Sequence, residues 1–392
     1  MASVVRGAAL FVRAFTLLKI AVWWVFLPVF GLFCVLRWLL LPGLLLAGMG
    51  LALGIQILRH AEPGTPFHRL PLRIFGGLAL FTHGVVIVSA LVLLGSPWSE
   101  GWTELPGSSA WSDPVARLRA DGELVVITGG RDKDSYWRAP GGATLEARGL
   151  PGLPGWLLAD QPGRGRLWLA PRAGAVVTFY SDAQARWLEI PAPIDMTDAR
   201  GLAIAGDRIV LATHHGLYWT DDARDGWALG ERGYVAEMAS DPTGERLLAL
   251  GPRFLASSDG GRSWSEVPRP EGATLGASAA IGGDGRVYVV DGGIVVGGDL
   301  WTAPFGGAWE RRVPPAGDLR AVAVDPRESD HLVVGAWGEG VFRSRDGGRE
   351  WASLGLRGVS VRSLDVDFER GEVVVGSGNL VIRGGVFTRS IE

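Results

Sequence analysis

Ser257–Trp264 reads SSDGGRSW and Ser344–Trp351 reads SRDGGREW, identical at six of eight positions and 87 residues apart. A catalytic motif serves one site, whereas a phrase spelled twice belongs to a repeat in which the same turn is built more than once. Each copy follows an apolar alternating run and precedes a short W-x-x-(V/L) segment, the pattern of a β-hairpin turn. Architecture is therefore the first reading, and it predicts weaker copies at a fixed period.

Those copies are present. Aligning on the closing tryptophan gives GRDKDSYW ending at Trp137, YSDAQARW at Trp187, TDDARDGW at Trp227, then Trp264, TAPFGGAW at Trp309, and Trp351. The acid five residues earlier is Asp132, Asp182, Asp222, Asp259 and Asp346, with Pro304 in its place in the fifth copy. Intervals of 50, 40, 37, 45 and 42 residues each suit one four-stranded sheet. The chain ends in EVVVGSGNLVIRGGVFTRS, which has the strands of a repeat but no closing tryptophan, while Gly101–Pro106, GWTELP, resembles the strand that follows each turn elsewhere. An N-terminal strand over 102–106, carrying Trp102 and Leu105, predicts ring closure that removes an exposed sheet edge. The expected fold is all-β: a seven-bladed β-propeller over 102–392, with about 42 residues per blade.

Within the phrase each residue type has a local task. Asp259 and Asp346 can accept amides of their own turn, Ser257 and Ser344 can bridge it, Gly261 and Gly348 permit positive φ, and Trp264 and Trp351 bury a large ring between sheets. On these residues the chain resembles the Asp-box, or sialidase-type BNR, repeat family, with Ser263 and Glu350 where that family has threonine. The resemblance implies that the box is structural and lies away from the functional face. The family includes sialidases, xyloglucan-cleaving glycosidases, sortilin-type receptors and the lumenal propellers that assist photosystem II assembly, so it implies a fold more than an activity.

Residues 1–96 carry seven Lys/Arg and one acid, Glu62, leaving 97–392 at about −9 of the formal −3. An acidic propeller lacks the clustered cations that phosphate contacts need, which argues against nucleic acid. Only Lys19 and Lys133 are lysines among 38 Lys/Arg, a bias that reads as a coding signature. Cys34 is the single cysteine and excludes an intrachain disulfide.

The first hundred residues read as a membrane anchor. After a cytoplasmic N-terminus over 1–19, apolar spans are expected at about 20–36, 38–58 and 74–94, with a linker over 95–101. Arg37 and Pro42-Gly43 divide the first long block, and a two-span arrangement is the alternative. Arg6, Arg13 and Lys19 before the first span and Arg59, Arg69 and Arg73 before the last are all cytoplasmic only with three spans. That places the propeller on the periplasmic side of a bacterial inner membrane.

For chemistry, Arg200, Arg320 and Arg362 begin innermost strands of three blades, Tyr234 and Glu237 sit on a fourth, and His214, His215 and Trp337 fall in turns of the non-box face. Together they form the candidate binding face. Asp195, Asp198, Glu237, Asp318 and Glu339 on the same face could supply the carboxylate pair of a glycosidase, but no complete catalytic constellation, metal set or cofactor motif emerges. The expected role is a non-catalytic docking or stabilising module, an accessory subunit or assembly factor whose partners are integral membrane proteins within the lipid bilayer. The alternative is a cell-surface propeller that binds or cleaves glycans.

Overall fold

The computed structural model describes residues 47–48, 101–108, 112–129, 134–142, 144–150, 155–171, 173–197, 199–221, 226–273, 278–292, 298–377 and 385–391. Two compact units divide the chain, Met1–Trp98 and Ser99–Glu392. Of the first, only Ala47 and Gly48 are described, both helical. The predicted spans otherwise lie outside the described residues, among which no helix is long and apolar enough to cross a membrane.

The second unit is seven four-stranded antiparallel sheets. After β1 (Thr103–Glu104), blade 1 is β2 (Ser112–Leu118), β3 (Leu124–Gly129), β4 (Ser135–Arg138) and β5 (Glu146–Ala147). Blade 2 is β6 (Gly155–Gln161), β7 (Arg166–Pro171), β8 (Ala173–Ser181) and β9 (Arg186–Thr197). Blade 3 is β10 (Ala199–Ala205), β11 (Arg208–Thr213), β12 (Gly216–Thr220) and β13 (Ala228–Arg232). Blade 4 is β14 (Glu237–Ser240), β15 (Leu247–Leu250), β16 (Phe254–Ser257) and β17 (Ser265–Val267). Blade 5 is β18 (Ser278–Ile281), β19 (Arg286–Asp291), β20 (Asp299–Pro304) and β21 (Glu310–Arg312). Blade 6 is β22 (Leu319–Val324), β23 (Leu332–Ala336), β24 (Gly340–Ser344) and β25 (Ala352–Gly355). Blade 7 is β26 (Val361–Asp367), β27 (Glu372–Ser377) and β28 (Gly385–Ser390), completed by β1.

The first strand of each blade lies against the first strand of the next, and β26 lies against β2, so the ring is closed. Second strands are covered on both faces by neighbouring blades, which explains their unbroken apolar runs: all six residues of β11 are buried. First strands alternate instead, as in the burial of β10, because one side faces the central channel. The core is accordingly divided among the junctions. Val210, Ala212, Leu247, Ala249 and Leu255 fill the one between blades 3 and 4, with Trp264 packed against them.

Two polar devices stitch the junctions. Indole Nε1 groups donate across them: Trp227 to Pro191 O at 3.0 Å, Trp309 to Pro268 O at 2.7 Å, Trp351 to Val313 O at 3.3 Å and Trp102 to Leu354 O at 2.6 Å. Arginines do the same at all seven junctions. Arg119 reaches Asp160 and Asp182, Arg164 reaches Asp207, Arg208 reaches the carbonyls of Asp259 and Gly260, and Arg246 reaches Gly283 O. Arg286 pairs with Asp330, Arg343 donates to Ile391 O, and Arg370 donates to Ala120 O. The arginine bias therefore has structural work to do, because a guanidinium spans a gap and serves several acceptors at once.

Trp137 lies on β4, a third strand, and is not a closing tryptophan. It is 1% exposed, packs on Tyr180 at 4.6 Å and donates from Nε1 to Ser135 Oγ. The turn that corresponds in blade 1 follows Arg138, and Leu145 packs where the other blades carry tryptophan.

Candidate functional site

The two copies of the repeated phrase sit between third and fourth strands at one end of the ring. In blade 4, Ser257 Oγ donates to Asp259 Oδ1 at 2.8 Å and accepts from Gly261 N at 2.9 Å, while Ser263 Oγ donates to Asp259 Oδ2 at 2.6 Å. Blade 6 repeats this: Ser344 Oγ meets Asp346 Oδ1 at 2.7 Å and Gly348 N at 2.9 Å, and Glu350 N donates to Asp346 at 2.9 Å. Gly261 has φ of +84°, and a Cβ there would stand 2.8 Å from Val210 of the preceding blade. Glycine is thus required both by the turn and by the blade contact. Asp132 and Asp222 lie outside the described residues; Asp182, in its shorter turn, points its carboxylate to Arg119 instead.

Burial alone would push the Asp259 carboxyl up, but hydrogen bonds from Ser263 and Ser257 outweigh it and hold it at about 2. A depressed carboxyl contributes stability that is present above its ordinary value of 3.8 and lost as pH falls toward 2. Asp259→Ala is expected to cost about 1 kcal/mol at pH 7 after allowance for solvent screening. In urea titrations the gap from the parent should close between pH 4 and pH 2; a gap that persists at pH 2 would contradict the assignment.

The opposite end, where second-to-third-strand turns and blade connections lie, gathers the candidate binding residues into two groups. At the seam of blades 3 and 4, Arg200 on β10 donates from Nε to His214 Nε2 at 2.9 Å. His214 stacks on Tyr234, centroids 4.8 Å apart and planes 25° off parallel. Tyr234 is 41% exposed. His215 is exposed beside it, in a turn tied by Thr213 Oγ1 to His215 N and Gly216 N. Glu237 opens β14 and is pushed up to about 8 by burial, with the Arg200 charge opposing.

At the seam of blades 6 and 7, two guanidiniums lie over the Trp337 ring, Arg320 at 5.1 Å and Arg362 at 5.0 Å from its centroid. Arg320 Nε pairs with buried Asp318 at 2.7 Å, and Glu339 accepts from Gly317 N at 3.2 Å. A face built in this way offers aromatic surface and fixed positive charge. Asp318 is paired with Arg320 and Glu339 accepts from the Gly317 amide of a different connection, the side chain of Asp195 and all of Asp198 lie outside what is described, and among the described residues no group of three His, Cys, Asp or Glu converges. The flanking of Trp337 and the burial of Glu237 were not visible in the spacing of the sequence. Only their position at the start of a strand or in a turn was.

No family model and no curated protein matches the chain. Solved structures do. A GH74 enzyme from Niastella koreensis matches with a TM-score of 0.56 and 17% identity over 74% of this chain and 53% of its own. YCF48 bound to a D1 peptide matches with a TM-score of 0.55 and 16% identity over 76% of this chain and 96% of its own. YCF48 from Cyanidioschyzon merolae matches with a TM-score of 0.56 and 14% identity over 74% and 98%. The chain thus spans about half of the GH74 enzyme and nearly all of YCF48. At such identities the likeness is one of fold.

Proposed function

We propose that the protein is a membrane-anchored, exported propeller that docks other membrane proteins and acts as a non-catalytic accessory subunit or assembly factor of a membrane complex. The observation that carries this reading is the make-up of the loop-rich face: exposed Tyr234, and Trp337 with the guanidiniums of Arg320 and Arg362 over its ring. Tyr, Trp and Arg are the residues that supply most binding energy at protein interfaces. The apolar N-terminal segments support an anchor at the inner membrane with the propeller outside. The YCF48 propeller solved with a D1 peptide supports a protein partner, and by analogy a photosynthetic or energy-transducing complex.

The glycan reading is favoured by Glu237, whose carboxyl is raised by burial to about 8, toward the protonated form a general acid needs. One experiment separates the two. The full chain, purified in mild detergent, should bring membrane proteins with it, identified by mass spectrometry, and Tyr234→Ala combined with Trp337→Ala should reduce their yield at least tenfold. A chain that purifies alone and releases reducing sugar from glycans would replace docking by glycoside chemistry.

A further inference from the structure

We propose that the turn between the third and fourth strands of blade 5 forms a binding site for a neutral sugar, at the end of the ring opposite the loop-rich face. Two guanidiniums and two carboxylates wall the site, together with the Thr302 hydroxyl and the Phe305 ring. The site stands apart from the docking face and does not depend on it.

The site exists because one copy of the repeated phrase has diverged. In blades 4 and 6 a glycine presses the turn onto the preceding blade: a Cβ on Gly261 would stand 2.8 Å from Val210, and one on Gly348 would stand 3.0 Å from Leu300. The blade-5 turn, Thr302–Trp309, has Pro304 where those turns have aspartate. β20 runs on to Pro304, whereas β16 and β24 end at their serines, and Gly307 N closes the turn on Pro304 O at 2.7 Å. A Cβ on Gly306 would have nothing within 4 Å. Here, then, the tip of the turn stands clear of its neighbour, and a cavity of about 590 Å³ opens beside it. That volume is in the range of small-molecule sites, about 300–1,000 Å³.

Arg246 reaches the cavity from blade 4, and Asp284, Arg286, Thr302, Phe305 and Glu310 line it from blade 5. Gly285 makes room for the Arg246 guanidinium, since a Cβ there would lie 2.7 Å from Nη1. Arg246 donates to Gly283 O at 3.3 Å and lies 3.9 Å from Asp241, while Arg286 lies 3.8 Å from Asp330. Both carboxylates are beyond hydrogen-bond reach, so the two guanidiniums keep N–H groups that a ligand oxygen can accept from. The acids have capacity too. Asp284 takes Ser329 Oγ at 2.6 Å and the Arg286 amide at 2.8 Å on Oδ1, and Glu310 meets Arg312 through Oε1, so each has a second oxygen able to accept.

Thr302 marks the wall as a place where a ligand belongs. It is 3% exposed and its Oγ1 has no hydrogen-bond partner; Tyr288 Oη, opposite it across β19 and β20, is buried in the same state. A bond between these two hydroxyls would satisfy one O–H and leave the other. A buried polar group without a partner is costly, and an oxygen entering the cavity removes that cost. The two cations and two carboxylates of the wall cancel, so an ion of either sign meets like charge. A sugar suits all of these groups: each hydroxyl both donates and accepts, serving carboxylate and guanidinium alike, and its C–H face can lie on Phe305.

The test uses the full chain in a detergent without a sugar headgroup, followed by saturation-transfer NMR and thermal melting. The neutral probes are the methyl glycosides of glucose, galactose and mannose, and the charged ones are glucuronic acid and glucosamine. At least one neutral glycoside should show transfer to its C–H protons and raise Tm, and the charged probes should bind roughly tenfold more weakly or worse. Thr302→Val keeps the shape of the side chain and removes the unpaired hydroxyl. Without sugar its Tm should equal or exceed the parent's, while sugar affinity falls about fivefold to tenfold.

Phe305→Leu is the second variant: it keeps an apolar side chain on the core and should lose the transfer to the sugar's C–H face. Silence of all three neutral glycosides, equal binding of the charged probes, or parent-like affinity in both variants overturns the site. A lowered Tm in Thr302→Val with unchanged sugar affinity does the same, by showing that the hydroxyl serves the fold alone. None of these outcomes bears on docking at the other end, which co-purification reports.

Discussion

Trp102→Ala is expected to lower the stability of the propeller by about 3–5 kcal/mol, the usual range for deleting a buried tryptophan. Trp102 is 8% exposed, and its indole donates to Leu354 O of blade 6 at 2.6 Å, across the junction that the last blade must close. The residues after it complete the sheet: Thr103 pairs with Thr388 and Glu104 with Phe387, and Leu105 N donates to Val386 O at 2.8 Å. Leu105 itself is 4% exposed. Loss of the anchor would free the edge of β28, and a ring has no second contact that compensates for one open junction. Urea unfolding should show a lower midpoint for Trp102→Ala and no change for Thr103→Ala, whose side chain is exposed. An unchanged midpoint in the first variant would mean that closure contributes little.

The closure was legible because its two halves are local: a repeat that stops short at one end of the chain and a stray fourth strand at the other. The seven sheets were legible for a similar reason, since the turn phrase states its own hydrogen bonds. The spacing misplaces blade 1 because Trp137, on a third strand, stands five residues after an acid, Asp132, just as the closing tryptophans do. Trp137 and Trp187 both line the junction of blades 1 and 2, one from a third strand and one from a fourth, and sequence spacing does not distinguish them.

What the sequence could not reveal are contacts made across junctions. Arg119 meets partners 41 and 63 residues away, and Arg370 meets one 250 residues away. No short-range pattern records such pairs, so arginine abundance looked like composition. The same holds for the loop-rich face. Its residues could be assigned to an end of the ring, but the partial burial that raises the Glu237 carboxyl depends on how the chain packs around it in three dimensions.

Those cross-junction contacts lead to the second large effect. Arg119→Met should destabilise the propeller by about 3–5 kcal/mol at pH 7, as expected when one member of a buried ionic cluster is removed and the others keep their charge. The Arg119 side chain is 5% exposed and serves three carboxylates: Asp160 at 3.1 Å, Asp182 at 2.8 Å and Glu123 at 3.3 Å. Burial alone would make it easier to deprotonate, yet the bonds to Asp182 and Asp160 prevail and raise it. Methionine keeps the length of the stem and removes only the charge, so packing loss is small. Asp182→Ala should cost far less, about 1 kcal/mol, because that carboxylate is 42% exposed and water can replace the arginine. In Arg119→Met, Glu123 keeps its bond to Arg148 at 3.1 Å, so Asp160 is the carboxylate that loses its ion pair, and the deficit should track the loss of that pair. Urea midpoints of Arg119→Met, Asp182→Ala and the parent at pH 7 measure this directly. A variant within 0.5 kcal/mol of the parent at pH 7 would show that the junction of blades 1 and 2 is held by its apolar core, with the arginine a passenger, and the same doubt would then extend to the other six ties.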